Sequence, residues 1–286
     1  MEKTLEFADL LRLMDERSTA FRAAVAAAPS LDVRVPTCPE WTLFDLVQHL
    51  GEGRRKWAAV VAAGPADAPP AFSAPVAPRE REALLAWFTA STGELLDALR
   101  AAGPDRGCWT WWGPSQSPQT TGAVARHQLQ QVAVHTYDAQ VAVGAPQPLP
   151  AEVALDGVDE FVTTCVATTA AWPHPPAVVD YHATEGRSWR LWFSADGARA
   201  AGLPAPAAGF AAPASGLAAS AAGLPAPASG LAAPAPVEDP EVAYVSARGT
   251  AHELVMFCYG RISADALRIE GDRRVFDQLI AWEPEP

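Results

Sequence analysis

The stretch Thr120-Thr-Gly-Ala-Val-Ala-Arg-His127-Gln-Leu-Gln-Gln131-Val-Ala-Val-His135-Thr-Tyr-Asp138-Ala-Gln-Val-Ala-Val143 decides how the rest of the chain is read. Thr120 or Thr121 can cap its start, and Gly144 followed by Pro146 stops it, so it reads as one helix. Residues four apart on a helix lie one above the other, which stacks His127, Gln131 and His135 on a single face. The opposite face carries Ala125, Leu129, Val132, Thr136 and Ala139, a set suited to a packed interior. Polar rings and amides on a covered face are costly unless something binds them. One face therefore reads as core and the other as the wall of a site.

Three more amphipathic helices precede it. Phe7, Leu10, Leu11, Met14, Phe21 and Val25 recur at helical spacing over about residues 5–28. A second helix opens on Thr42, with Asp45 three residues on as a capping box and Trp41 placed to staple against Leu46. Its stripe is Leu43, Leu46, Val47, Leu50 and Trp57, with His49 on the flank. A Pro/Ala-rich connection over 64–78 leads to a third helix, about 79–102, burying Leu84, Trp87, Phe88, Leu95 and Leu99. The loop that follows holds Trp109, Trp111 and Trp112, which either plug the open end of the helices or form an aromatic wall for a ligand. Four such helices make an all-α four-helix bundle over residues 1–147, and bundles build ligand and metal sites between facing helices.

From residue 148 the pattern changes to a small α+β domain running to 286. A helix is expected over 152–171. Strands follow over 178–183 and 188–194, joined at Glu185-Gly186, with further strands at 241–247 and 264–269. Helices read at 250–259 and 275–282. Inside this half, Gly202-Leu-Pro-Ala-Pro-Ala recurs at Gly223, and Ala-Ser-Gly-Leu-Ala-Ala occurs at 214–219 and 228–233. Residues 201–236 thus read as a duplicated Ala/Pro/Gly insertion, too poor in large side chains to repay ordering, and are expected to be a flexible loop.

Composition narrows the function. With 21 basic and 33 acidic residues the formal charge is −12, which argues against nucleic acid or an anionic membrane as partner. Cys38, Cys108, Cys165 and Cys258 are far apart and lack Cys-x-x-Cys spacing, so they read as free thiols of a reducing, cytoplasmic setting. Acidic residues at Glu2, Glu6, Asp9 and Asp15 do not suit a signal peptide, and no long apolar run suits a membrane span.

The residues that could carry chemistry are His49 and His135 on separate helices, with Gln131 one turn before the latter. Two imidazoles and a carboxylate make an open zinc site whose fourth position is free for water or a thiol. Here the third donor by spacing is an amide, which leaves His127 or Gln128 as alternative ligands. Asp138 is placed to orient His135 from behind.

Three stretches together resemble the mycothiol-dependent maleylpyruvate isomerase family. They are Val35-Pro-Thr-Cys-Pro-Glu-Trp-Thr-Leu-Phe-Asp-Leu-Val-Gln-His49-Leu, Gln131-Val-Ala-Val-His135-Thr-Tyr-Asp138-Ala, and Tyr259-Gly-Arg261 with Leu267-Arg-Ile-Glu-Gly-Asp272. The resemblance implies a DinB-like metal-binding bundle and a sterol-carrier-like C-terminal domain. It implies that His49 and His135 bind a divalent metal, zinc first, with Gln131 standing where the family has glutamate. It implies that Arg261 faces the site as a catalytic residue for a carboxylate of substrate or thiol. The expected activity is isomerisation or thiol transfer on a small electrophilic metabolite, with mycothiol or a similar thiol as cofactor and Trp111 and Trp112 as a substrate wall. Gln131 also motivates a second reading, a metal-free ligand-binding or stress-response protein built on the same fold.

Overall fold

The computed structural model describes residues 5–73, 75–204 and 242–282. The core of the expected 201–236 insertion therefore lies outside the described residues.

Four long helices form the N-terminal half: α1 (Phe7–Ala27), α2 (Leu43–Ala63), α3 (Arg81–Ala102) and α4 (Thr121–Ala142). Apolar side chains at helical spacing drive their packing, and Met14, Phe21, Leu46, Val47, Phe88 and Leu99 are fully enclosed. Burying a side chain of this size stabilises by about 1.5–3 kcal/mol, which is why these stripes rather than helix propensity set the bundle. Thr42 and Asp45 form the reciprocal capping box at the start of α2, as the sequence predicts. Before it, a short hairpin that the hydrophobic pattern did not reveal, β1 (Arg34–Val35) with β2 (Cys38–Thr42), brings residues 37–41 back over the bundle.

Helices α2 and α3 approach closely at Gly51, where a Cβ would run into the Trp87 indole. Beside this contact the buried Arg54 crosses from α2, donating to Ser18 Oγ of α1 at 2.8 Å and to Thr92 Oγ1 of α3. Its guanidinium lies 4.6 Å over the Phe88 ring. Burial pushes its pKa down to about 9, so it remains a cation at neutral pH.

The second half begins with α5 (Ala151–Glu160), which loosens into a π-helical turn over Phe161–Val166. This corrects the continuous helix expected to residue 171: Thr168 instead bridges to Ala198 in extended form. The sheet has the order β5-β4-β3-β6-β7 over β3 (Ala177–Ala183), β4 (Ser188–Ser194), β5 (Gly197–Leu203), β6 (Ala243–Gly249) and β7 (Arg268–Gly271). Strands β3 and β6 are parallel; the other neighbours are antiparallel. Strand β5 is a second correction, since residues 201–203 belong to it and not to the insertion. Its residues, Gly-Ala-Arg-Ala-Ala-Gly-Leu, lack the β-branched and aromatic types that mark a strand. The Asp196-Gly197 turn before it, with Gly197 at φ 109°, is the signal that announces the hairpin.

The expected strand at 264–269 resolves into a 3-10 turn, Ala264–Ala266, and β7. Helices α6 (Ala251–Cys258) and α7 (Arg274–Ala281) pack on one side of the sheet, where Phe257 and Phe276 lie 6.5 and 6.0 Å from Tyr181. Among the described residues no helix is long and apolar enough to cross a membrane.

The polar face of α4 is covered by the second half of the chain. Arg126 pairs with Asp156 and Asp159 of α5 at 2.9 and 2.7 Å, and Gln130 donates to Asp156 at 3.0 Å. The site is built where this covering stops.

Candidate functional site

A cavity of about 180 Å³ lies between α2, α4 and the segment after α6, lined by His49, Gln131, Val134, His135, Tyr259 and Arg261. Helix geometry places Gln131 and His135 one turn apart on its α4 wall. The capping box fixes where α2 starts, and so sets His49 opposite them. The ring centres of His49 and His135 are 5.4 Å apart, with the planes at 83°. Two imidazoles sharing one tetrahedral zinc at Zn–N distances of about 2.0–2.1 Å have ring centres roughly 5 Å apart. The spacing of the ring centres matches that of two imidazoles sharing one cation.

His135 is fixed from behind. Its Nδ1 lies 2.8 Å from Asp138 Oδ2, so a neutral ring donates Nδ1–H to the carboxylate and keeps the lone pair of Nε2 free. Asp138 is completely buried and gathers four further contacts. Arg261 Nε and Nη2 reach its two oxygens at 3.1 and 2.8 Å, Thr37 Oγ1 donates at 2.6 Å, and the Cys38 thiol lies 3.8 Å away. Burial alone would favour the neutral acid. Hydrogen bonds from His135 and Arg261, together with the Arg261 charge, outweigh it and hold this carboxyl well below its usual range.

Arg261 is heavily engaged. Besides Asp138, it donates from Nη1 to the Tyr259 carbonyl at 2.7 Å and from Nη2 to Cys38 Sγ at 3.4 Å. Of its five N–H groups, one on Nη1 is left without a partner among the described residues. It lines the cavity chiefly as the clamp on Asp138, with that single N–H to offer a ligand oxygen.

Trp41 contributes in a way its place before the helix cap did not announce. Its ring lies 4.7 Å from His49 and 6.1 Å from His135, so it walls the pair. His49 is exposed, yet the protein around its ring, and next the charge of His135, push its pKa down to about 4. The unfolded chain would take up this proton near 6.5. Stability from this group is therefore complete above about pH 6.5 and is lost as pH falls towards 4. Thermal melting between pH 5 and 7 should show a smaller loss of Tm in His49→Gln than in the parent; equal losses would contradict the assignment.

His127 is not part of this cavity, which corrects its role as an alternative ligand. Its Nδ1 is 2.9 Å from Glu160 Oε1, and its ring sits among Trp57, Trp111 and Trp112 at 6.2, 5.6 and 5.1 Å. Gln128 is buried and likewise does not line the cavity. Trp111 and Trp112 do not line it either. Trp112 is 1% exposed with its Nε1 bound to the Pro118 carbonyl, so the tryptophan loop closes the bundle around His127. Glu160, which the sequence did not single out, joins the two halves through His127 and also accepts from the Tyr259 hydroxyl at 3.1 Å.

Two family models match the chain. Residues 11–140 match the mycothiol maleylpyruvate isomerase N-terminal domain, and residues 152–278 match the MDMPI C-terminal domain. The chain belongs to the mycothiol-dependent maleylpyruvate isomerase family. No curated protein matches it. Among solved structures, it resembles the crystal structure of the mycothiol-dependent maleylpyruvate isomerase at 14% identity, and that of a histidine-to-alanine mutant at 13%. Each has a TM-score of 0.57 over 94% of this chain and 96% of the other. At that identity the likeness establishes the fold: a DinB-like helical domain followed by a domain with a sheet. In this chain the cavity is lined from both halves, by His49, Gln131, Val134 and His135 of the helices and by Tyr259 and Arg261.

Among the described residues there is no group of three His, Cys, Asp or Glu side chains placed to hold a metal. The donor set here is two imidazoles and the carboxamide of Gln131. It suits a divalent cation through its nitrogens but supplies no anionic protein ligand.

Proposed function

We propose that this chain is a metal-assisted, thiol-dependent isomerase or thiol transferase acting on a small electrophilic metabolite. His49 and His135 hold a divalent cation, zinc first, with the Gln131 carboxamide as a third donor, and mycothiol or a related thiol is the cofactor. The observation that carries the proposal is the 5.4 Å convergence of two imidazoles from separate helices, one of them anchored by a buried carboxylate. The name of the family and of its solved relatives supports the thiol and the isomerisation.

A divalent cation held by His49 and His135 would lower the pKa of a thiol and so make thiolate available at neutral pH. The chain's own residues do the positioning. Asp138 holds His135 in the tautomer with a free Nε2, and Arg261 keeps Asp138 ionised and in place. Trp41 shields the pair on one side. The one spare N–H of Arg261 can meet a carboxylate or carbonyl oxygen of the substrate.

Assays with mycothiol and a panel of activated alkenes, run on metal-stripped and zinc-loaded protein, should give turnover only when both thiol and metal are present. Turnover without thiol would contradict the proposal. The neutral amide favours a second reading, a metal-free ligand-binding protein. Gln131→Glu separates them: it should tighten zinc binding by about tenfold or more if position 131 is a ligand. Unchanged affinity would take Gln131 out of the site.

A further inference from the structure

Arg54 is a buried cation without an anion. It is 1% exposed, yet its partners are the hydroxyls of Ser18 and Thr92, and no carboxylate pairs with it among the described residues. Neutral acceptors do not cancel the cost of taking a charge out of water, so buried guanidinium groups ordinarily meet a carboxylate or another anion. The acid that acts on Arg54 at longer range is Asp15, which is exposed and forms no ion pair among the described residues.

Ser18 and Thr92 open on a cavity of about 250 Å³ between α1 and α3. Their own protons go to the Met14 and Phe88 carbonyls, so Arg54 acts on this space through its charge and not by contact. A second cation lines it directly. Arg22 of α1 donates to Thr89 Oγ1 at 3.0 Å and to Thr19 Oγ1 at 3.1 Å, again with no carboxylate partner among the described residues. Its fork keeps further N–H groups for a ligand oxygen. Arg100, also on the wall, is paired with Asp97 at 3.0 Å. Arg22 and Arg54 thus stand as two positive charges against one negative charge on Asp15, in a chain whose formal charge is −12. Gly93 lines the same space from within α3, where glycine is a poor helix former. A Cβ there would have nothing within 4 Å, so packing does not demand glycine, and a side chain would grow into open space.

We propose that the cavity between α1 and α3 binds a small tetrahedral oxyanion, phosphate or the phosphoryl group of a small monoester. The spare N–H groups of Arg22 hold it, and the charge of Arg54 behind Ser18 and Thr92 attracts it. The site shares no residue with the cavity of the histidine pair and is independent of the metal reading.

The test is titration calorimetry of the full chain with inorganic phosphate, at fixed ionic strength and without added metal. Saturable binding of about one equivalent is expected, weakened about tenfold by Arg22→Gln. Gly93→Gln, which suits the helix and fills the space, should weaken it by about tenfold or more. Asp15→Asn, which removes the competing negative charge, should tighten it about threefold. His135→Ala should leave it unchanged. Glycerol 3-phosphate binding more tightly than phosphate assigns the site to a phosphoryl headgroup, and weaker binding assigns it to the free ion; both agree with the proposal. Absence of saturable binding, undiminished binding in folded Arg22→Gln or Gly93→Gln, or loss of binding in His135→Ala overturns it. So does an affinity that does not rise in Asp15→Asn, an exposed change that decides the matter alone if the other variants do not fold.

Discussion

Asp138→Ala should destabilise the protein by about 3–5 kcal/mol in urea unfolding, the range expected when one partner of a buried ion pair is removed. The side chain is fully buried and accepts from Arg261 on both oxygens, from His135 and from Thr37. Its loss leaves Arg261, with only 15% of its side chain exposed, as a cation without its anion. The native carboxyl is held well below the ordinary carboxylate range, so its contribution is complete above about pH 4 and disappears as pH falls below that. The parent should therefore lose part of its advantage over Asp138→Ala in acid. A loss below about 1 kcal/mol at pH 7 would show that the guanidinium finds another partner.

Glu160→Ala should be the next most damaging change, at about 2–4 kcal/mol. The carboxylate is 1% exposed and holds His127 of α4 on one oxygen and Tyr259 on the other. Removing it strands the buried His127 and the half-buried Tyr259 hydroxyl, for which the described residues offer no other hydrogen-bond partner. Burial works against its ionisation, but the charge and hydrogen bond of His127, with Arg126 and Tyr259, hold its pKa below the usual value. Glu160→Gln preserves the shape and one acceptor oxygen, so it should lose about half as much; equal losses in the two variants would point to packing and not to the hydrogen bonds. Urea unfolding of both variants makes the comparison.

These two carboxylates mark the boundary of what the sequence reveals. The period of α4 announces that His127, Gln131, His135 and Asp138 need partners, because buried polar groups are rarely left alone. It does not announce that the partners are Glu160 and Arg261, since helical spacing fixes a face and not the element that covers it. The same gap explains the two histidines of α4. By spacing alone His127 and His135 are equivalent neighbours of Gln131, yet they sit two turns apart along the axis. One meets α2 at His49 and the other meets α5 and the tryptophan loop.

Trp41 sits before a helix start where a hydrophobic staple is expected, and only the β1–β2 hairpin turns its ring onto His49. The bundle was legible because four apolar stripes at one period admit few packings. Strand β5 was hidden because glycine and alanine carry no strand signature, although Asp196-Gly197 marked the turn.

The most direct test of the shared cation is the metal content of the full chain, purified without chelator or nickel resin. About one equivalent of divalent metal, zinc foremost, is expected in the parent, and less than about a tenth of that in His135→Ala with its helical circular dichroism retained. A metal-free parent that stays metal-free after zinc is supplied, or a folded His135→Ala that keeps its full equivalent, would contradict a cation held between His49 and His135.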